Sequence, residues 1–259
     1  IRDLTVTGGS DVCSSDLPNG KIKITKVANF DTALIQTAVS YAQLNKKEEA
    51  LARLKILVDN YTTDSAHLPL ALAEQGKLYY ETDNLKRARS ALVRFVAERK
   101  NPANKIFQAA AAEVGRVHYY LGWIDAAENL HPAAVINFEI AAASSGGRKA
   151  ADGSSLASDA SLQQGIAMVN AKDFGRAAQN RQNVGNKYKD HPRIDVVLYY
   201  TGLAYARVEN WGAAAAFFKR VIGEHPKATF ADKALYEWAW CERSLKRNKE
   251  ASAHYELLI

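Results

Sequence analysis

The sequence predicts an all-α fold, an α-solenoid of about six helix-turn-helix repeats. Three observations carry this expectation. One stretch, residues 194–226, reads as two amphipathic helices joined by a short turn. Small residues recur through the chain at near-constant separation, which is the mark of a repeat array. The composition of the 259-residue chain suits helices: 47% is hydrophobic, Ala-rich runs dominate, and fifteen Gly and six Pro are too few for a low-complexity chain. No useful period-2 strand pattern is present, and no apolar run is long enough for a transmembrane helix.

The stretch 194–226 sets the type. In its first helix, helix A, Leu198, Thr201, Gly202 and Tyr205 are spaced three or four residues apart and so share one face. Glu209 and Asn210 mark the turn. Helix B presents Trp211, Ala214, Phe218 and Val221 in the same way. Pro226 ends the unit, because proline removes a backbone donor and turns the preceding residue away from helix. Gly202 and Ala214 let the two helices cross closely, where large side chains would hold them apart.

Five further units follow this template. The first has Leu34, Ala38 and Tyr41 in helix A, a turn at Asn45-Lys46-Lys47, and Ala50, Leu54 and Leu57 in helix B. The second has Leu72, Gly76 and Tyr79, then Leu85, Ala88 and Leu92, and closes at Pro102. In the third, Gly115 and His118 are assigned to helix A, and Ala134, Phe138 and Ala141 to helix B. That assignment requires about seven extra residues around Trp123–Leu130, as a longer helix A or an extra turn. Pro132 then belongs in the first turn of helix B, where its missing donor costs little. The fourth unit has Gly165, Met168, Phe174, Ala177 and Val184 and closes at His191-Pro192; the fifth is the type unit; the sixth has Leu235, Trp238, Ala239, Ala251 and Tyr255. The helix-A residues Ala38, Gly76, Gly115, Gly165, Gly202 and Ala239 lie 38, 39, 50, 37 and 37 apart.

These units fix the expected domain map: repeats one to three over 30–145, a flexible Gly/Ser loop over 146–155, and repeats four to six over 156–259, with the last cut short. Residues 18–29 read as a basic linker or the end of a preceding repeat. Residues 1–17 carry neither helical periodicity nor a signal-peptide core. Asp11–Leu17 back-translates to a stretch resembling a sequencing adapter, so 1–17 is read as a non-native segment on a metagenomic fragment, the alternative being a disordered native terminus. Without it the net charge rises from +6 to +8, since one Arg and three Asp leave. Cys241 is then the sole cysteine, which excludes an internal disulfide.

The pattern Gly202, Tyr205, Trp211, Ala214, Phe218 and Pro226 resembles the tetratricopeptide repeat family, and the resemblance extends over about 30–259. Residues 223–258 look like the bacterial envelope subset, which includes the periplasmic Tol–Pal coordinator and the lipoprotein of outer-membrane barrel assembly. The resemblance implies a right-handed superhelix whose concave face is lined by A helices. It also implies a non-enzymatic scaffold that binds a peptide or protein, with a weak preference for a periplasmic location. By the same resemblance, Lys77, Tyr80, Arg116, Tyr119, Tyr120, Tyr199, Leu203, Arg207, Tyr236, Trp240 and Arg243 line the groove. Interleaved aromatic and basic side chains suit a peptide bearing acidic and apolar residues. Each of them can instead be an ordinary packing residue or a solvated charge. The asparagine-rich clamp of chaperone-binding relatives is absent.

No chemistry-bearing motif competes with this reading. The six histidines form no His-x-x-x-His set, and no Cys-x-x-Cys, Walker or nucleophile-elbow motif occurs, so no catalytic residue, metal or cofactor is expected. Cys241, beside Trp238 and Trp240, reads as a small buried hydrophobe. Two alternatives stay open. A helical-repeat RNA binder would suit the net charge but needs recurring polar base-reading positions, which are not seen. An α-toroid enzyme needs acids gathered at one loop end. Nucleic acid is therefore not the expected partner, and uncapped ends leave apolar surface open to self-association.

Overall fold

The computed structural model describes residues 29–61, 64–150, 153–187 and 191–259, with backbone alone at 181–186. Residues 1–17, the lead-in up to residue 28 and the Val184 side chain lie outside the described residues. Helices dominate the rest, and among the described residues the one extended pairing is an isolated antiparallel bridge between Lys149 and Ser155.

Six helical hairpins follow one another. They pair α1 (Phe30–Gln43) with α2 (Lys47–Asn60), α3 (Leu68–Glu81) with α4 (Leu85–Lys100), and α6 (Ala111–Ala127) with α7 (His131–Ser144). Next come α8 (Leu156–Asn170) with α9 (Phe174–Lys187), α10 (Ile194–Arg207) with α11 (Trp211–Glu224), and α12 (Ala231–Ser244) with α13 (Asn248–Glu256). A short α5 (Lys105–Ala109) stands between the second and third pairs. Each hairpin packs on the next, giving an all-α solenoid. Successive first helices touch one another, whereas successive second helices do not pack together. The stack therefore curves with the A helices on its inner side.

One turn closes all six hairpins. Asn45, Asp83, Asn129, Lys172, Glu209 and Lys246 each take a left-handed conformation, with φ between 58° and 63°. The residue after each donates its backbone N–H to a carbonyl five residues earlier, from Lys46 to Tyr41 at 2.9 Å through Arg247 to Glu242 at 2.9 Å. This is a Schellman closure, which satisfies carbonyls that the helix end leaves open. Asn84, Asp173 and Asn210 then cap the following helix, each side-chain oxygen accepting the N–H three residues on.

The core follows the predicted faces. Ala38, Ala50, Ala88, Ala134, Ala177, Ala214, Ala239 and Ala251 are buried, as are Leu54, Leu92, Phe138 and Phe218. The third repeat corrects the expected register. A Cβ placed on Gly122 would lie 2.8 Å from Phe138, as one on Gly202 would lie 2.6 Å from Phe218, and Gly76 meets Leu92 in the same way. Gly122, not Gly115, is therefore the third repeat's crossing residue. Nothing is inserted between α6 and α7, and Pro132 sits in the first turn of α7 as expected. The extra residues lie before Gly122, as α5 and as an α6 of 17 residues, and after α7. Gly115 serves a different contact. A Cβ there would lie 2.6 Å from the Ser145 Cα, so its absence lets the chain leaving α7 lie against α6.

That exit segment, expected as a flexible loop, folds back on itself. The N–H of Ala150 donates to the Ser154 carbonyl and that of Leu156 to the Arg148 carbonyl, both at 2.8 Å. The resulting hairpin walls off one side of the inner face beside α6.

Candidate functional site

The inner face holds two hollows. The larger, about 450 Å³, is lined by Lys77, Tyr80 and Glu81 of α3, by Arg116, Tyr119, Tyr120 and Trp123 of α6, and by Arg148, Lys149, Ala150 and Leu156 of the hairpin and α8. Five predicted groove residues meet here: Lys77, Tyr80, Arg116, Tyr119 and Tyr120. The smaller, about 270 Å³, gathers four more, Leu203, Arg207, Tyr236 and Trp240, together with Ala206, Trp211 and Glu237.

Within the larger hollow, burial separates structural side chains from those able to meet a ligand. Arg116 is only 9% exposed. It pairs with Glu74 of α3 and, at 2.6 Å, with Glu113 one turn earlier on α6. Burial opposes its charge, but Glu74 and Glu113 outweigh burial and hold its pKa above the usual arginine range. Glu113 is shared with Arg148, whose guanidinium lies 2.6 Å away and also donates to the Ala112 carbonyl at 3.1 Å. The expected carboxylate-reading role of Arg116 therefore does not fit: its terminal nitrogens already join α3 to α6. Tyr119 is likewise buried, and its hydroxyl donates to Asp159 at 2.6 Å, with burial raising its pKa far above the usual value.

The side chains left partly or fully open at this hollow are Tyr80, Tyr120, Trp123, Lys77 and Lys149. The Tyr80 and Tyr120 rings lie 5.3 Å apart at a tilt, and Trp123 meets Tyr119 edge-on at 6.3 Å. The Lys77 ammonium lies 3.7 Å from Glu81. Lys149 is exposed and has no acidic partner among the described residues. Trp123 and Lys149 escaped the sequence reading for definite reasons. Trp123 follows the crossing glycine as Leu203 and Trp240 follow Gly202 and Ala239, so the Gly122 register would have revealed it. Lys149 sat in a segment read as a loop.

The smaller hollow is more open. Tyr236 is 50% and Trp240 38% exposed, large fractions for aromatic side chains. The Arg243 guanidinium stacks 4.1 Å above the Trp240 ring as a cation–π pair. Burial raises the Glu237 pKa, with Arg207 opposing it. Tyr199, also predicted for the groove, lines neither hollow. It is 7% exposed and stacks on Phe230 at 4.8 Å, because the chain entering α12 folds over it; burial pushes its phenol up to about 12.

No group of three or more His, Cys, Asp or Glu side chains able to hold a metal occurs among the described residues. Cys241 is fully buried with its thiol pushed up to about 12 by burial, as a packing residue should be. Among the described residues, no helix is long and apolar enough to cross a membrane.

Comparison with known proteins agrees with this architecture. A family model described as tetratricopeptide repeat matches residues 32–63 and 196–228, that is, the first repeat and the fifth. No curated protein sequence matches. Among solved structures, YrrB, described as a tetratricopeptide-repeat protein with an unusual peptide-binding site, is similar at 19% identity and a TM-score of 0.60, over 78% of this chain and 89% of that one. PilW, a type IV pilus biogenesis factor, is similar at 13% identity and a TM-score of 0.54, over 90% and 93% of the two chains. PilF of Pseudomonas aeruginosa gives 13% and 0.54, over 88% and 90%. Two matched segments thus support the tetratricopeptide repeat family, and the likeness in fold extends over most of the chain.

Proposed function

We propose that this protein is a non-enzymatic interaction scaffold that holds a peptide or partner segment along its inner face, across both hollows. The observation that carries the reading is the exposed Tyr236–Trp240–Arg243 cluster on α12. A protein surface leaves such aromatic side chains half open where they meet a partner, and aromatic and Arg side chains dominate binding energy at interfaces. Lys149, Arg207 and Arg243 favour a ligand with carboxylates, and the aromatic walls favour apolar side chains between them. A bacterial envelope setting belongs to the same proposal and rests on the resemblance of residues 223–258.

A display of short peptides against the folded protein tests this. Peptides rich in acidic and apolar residues should be enriched, and Trp240→Ala should weaken them at least about tenfold, or about 1.4 kcal/mol. The melting temperature should stay near wild type, since the ring is partly exposed. Enriched peptides that bind Trp240→Ala and Tyr80→Ala as tightly as wild type would overturn the assignment.

A further inference from the structure

The outer side of the solenoid carries a hollow of its own, about 440 Å³, between α4, α6 and α7. It exists because α5 is wedged between the second and third repeats, where α4 meets α6 less extensively than the equivalent helices meet at the other joints. Its apolar walls are mostly aliphatic, with Phe95 the one aromatic side chain in the lining. Ile136 and Val93 on its rim are 59% and 48% exposed, an unusual investment of branched side chains in water.

Two polar features break this apolar surface. At the base stands His118, whose orientation is fixed by a chain of hydrogen bonds. Arg89 lies 2.8 Å from one oxygen of Asp125, and the Asn137 amide donates to the other at 2.6 Å. The Asn137 carbonyl oxygen must then face His118 Nδ1, 2.7 Å away, and accept its proton. Nε2 is left as a lone pair at the hollow. Burial lowers the pKa of His118, against the Asn137 hydrogen bond and together with nearby Lys100, which keeps the ring neutral. On the wall, Arg99 donates from one terminal nitrogen, Nη1, to the neutral carbonyls of Phe107 at 2.5 Å and Gln108 at 2.9 Å, and neither Arg99 nor Lys100 has an acidic partner among the described residues. No carboxylate lines the hollow, so two positive charges stand beside it uncompensated.

We propose that this outer hollow is a second docking site, which takes a partner-protein segment carrying aliphatic side chains, a hydrogen-bond donor for His118 Nε2, and a carboxylate for Arg99 and Lys100. It stands independently of the inner-face reading. A protein with both sites is an adaptor, able to hold one partner inside its curve and another outside.

The test uses two arrays of short synthetic peptides. One combines Leu, Ile and Val with Asp, Glu and Ser; the other replaces every Asp and Glu with Lys. Labelled wild-type protein should bind the acidic array and ignore the basic one. Ile136→Asp, a change at an exposed position, should lower the affinity of the bound peptides about tenfold or more. Lys100→Glu should weaken the acidic peptides and gain binding to their Lys counterparts, a reversal that misfolding cannot produce. Equal binding to both arrays, or affinities unmoved by Ile136→Asp and Lys100→Glu, would overturn the proposal. So would peptides that lose binding only in Trp240→Ala and Tyr236→Ala, which would assign them to the inner face.

Discussion

Gly202 shows how much one hydrogen atom decides. The Phe218 ring occupies the space a Cβ would need, 2.6 Å from its ideal position, and Phe218 is fully buried. Gly202→Ala should therefore force the α10–α11 crossing apart and destabilise the protein by about 1–3 kcal/mol. Gly212, ten residues on, has nothing within 4 Å of the same virtual atom. Gly212→Ala should stabilise by about 0.5 kcal/mol, because only backbone entropy changes. Chemical denaturation of both variants checks the pair, and effects of the same sign would refute the packing argument. The turns invert the logic. Glu209 holds φ at 59°, a conformation in which any side chain is strained. Glu209→Gly should raise stability by about 0.5–1 kcal/mol after the added freedom of the unfolded chain is subtracted, readable as a higher melting temperature.

At the scale of elements, the sequence exposed the helices more readily than their register. Alternating faces and turn residues placed α10 and α11 correctly, because three- and four-residue spacing is a local property. The third repeat failed for a physical reason: Gly115 and Gly122 lie seven residues apart, close to two full turns, and so share one helix face. Periodicity alone does not separate them. The constant twelve-residue step from crossing residue to buried alanine does, since Ala38–Ala50, Gly76–Ala88 and Gly202–Ala214 share it with Gly122–Ala134. The joint between α3 and α6 was not legible either, because Arg116 and Glu74 are distant in sequence and meet only after stacking. Arg116→Met should leave the largely buried Glu74 without its counter-charge and Glu113 with Arg148 alone, and cost about 3 kcal/mol. Arg220→Met, which removes the exposed pair between Arg220 and Glu224, should cost no more than about 0.5 kcal/mol. Denaturant midpoints for the two variants give the comparison; equal losses would show that the α3–α6 pair is no stronger than a surface one.

For the whole molecule, the solenoid and its inner face follow from repetition, and the site follows from departures from it. The family resemblance placed nine residues of the two inner hollows in advance, among them Tyr119 and Tyr120 of α6, Leu203 and Arg207 of α10, and Tyr236 and Trp240 of α12. The hairpin wall with Lys149 and the outer hollow arise where spacing breaks, at α5 and after α7, and no repeat pattern announces them. If the curved A-helix layer is the binding surface, a saturating peptide from the display experiment must leave its footprint there, and amide hydrogen exchange reads that footprint helix by helix. Exchange should slow in α10 and α12 and in the hairpin after α7, with α11 and α13 unchanged on their outer faces. Protection confined to the B helices, with α10 and α12 exchanging as in the free protein, would rule the inner face out as the binding surface.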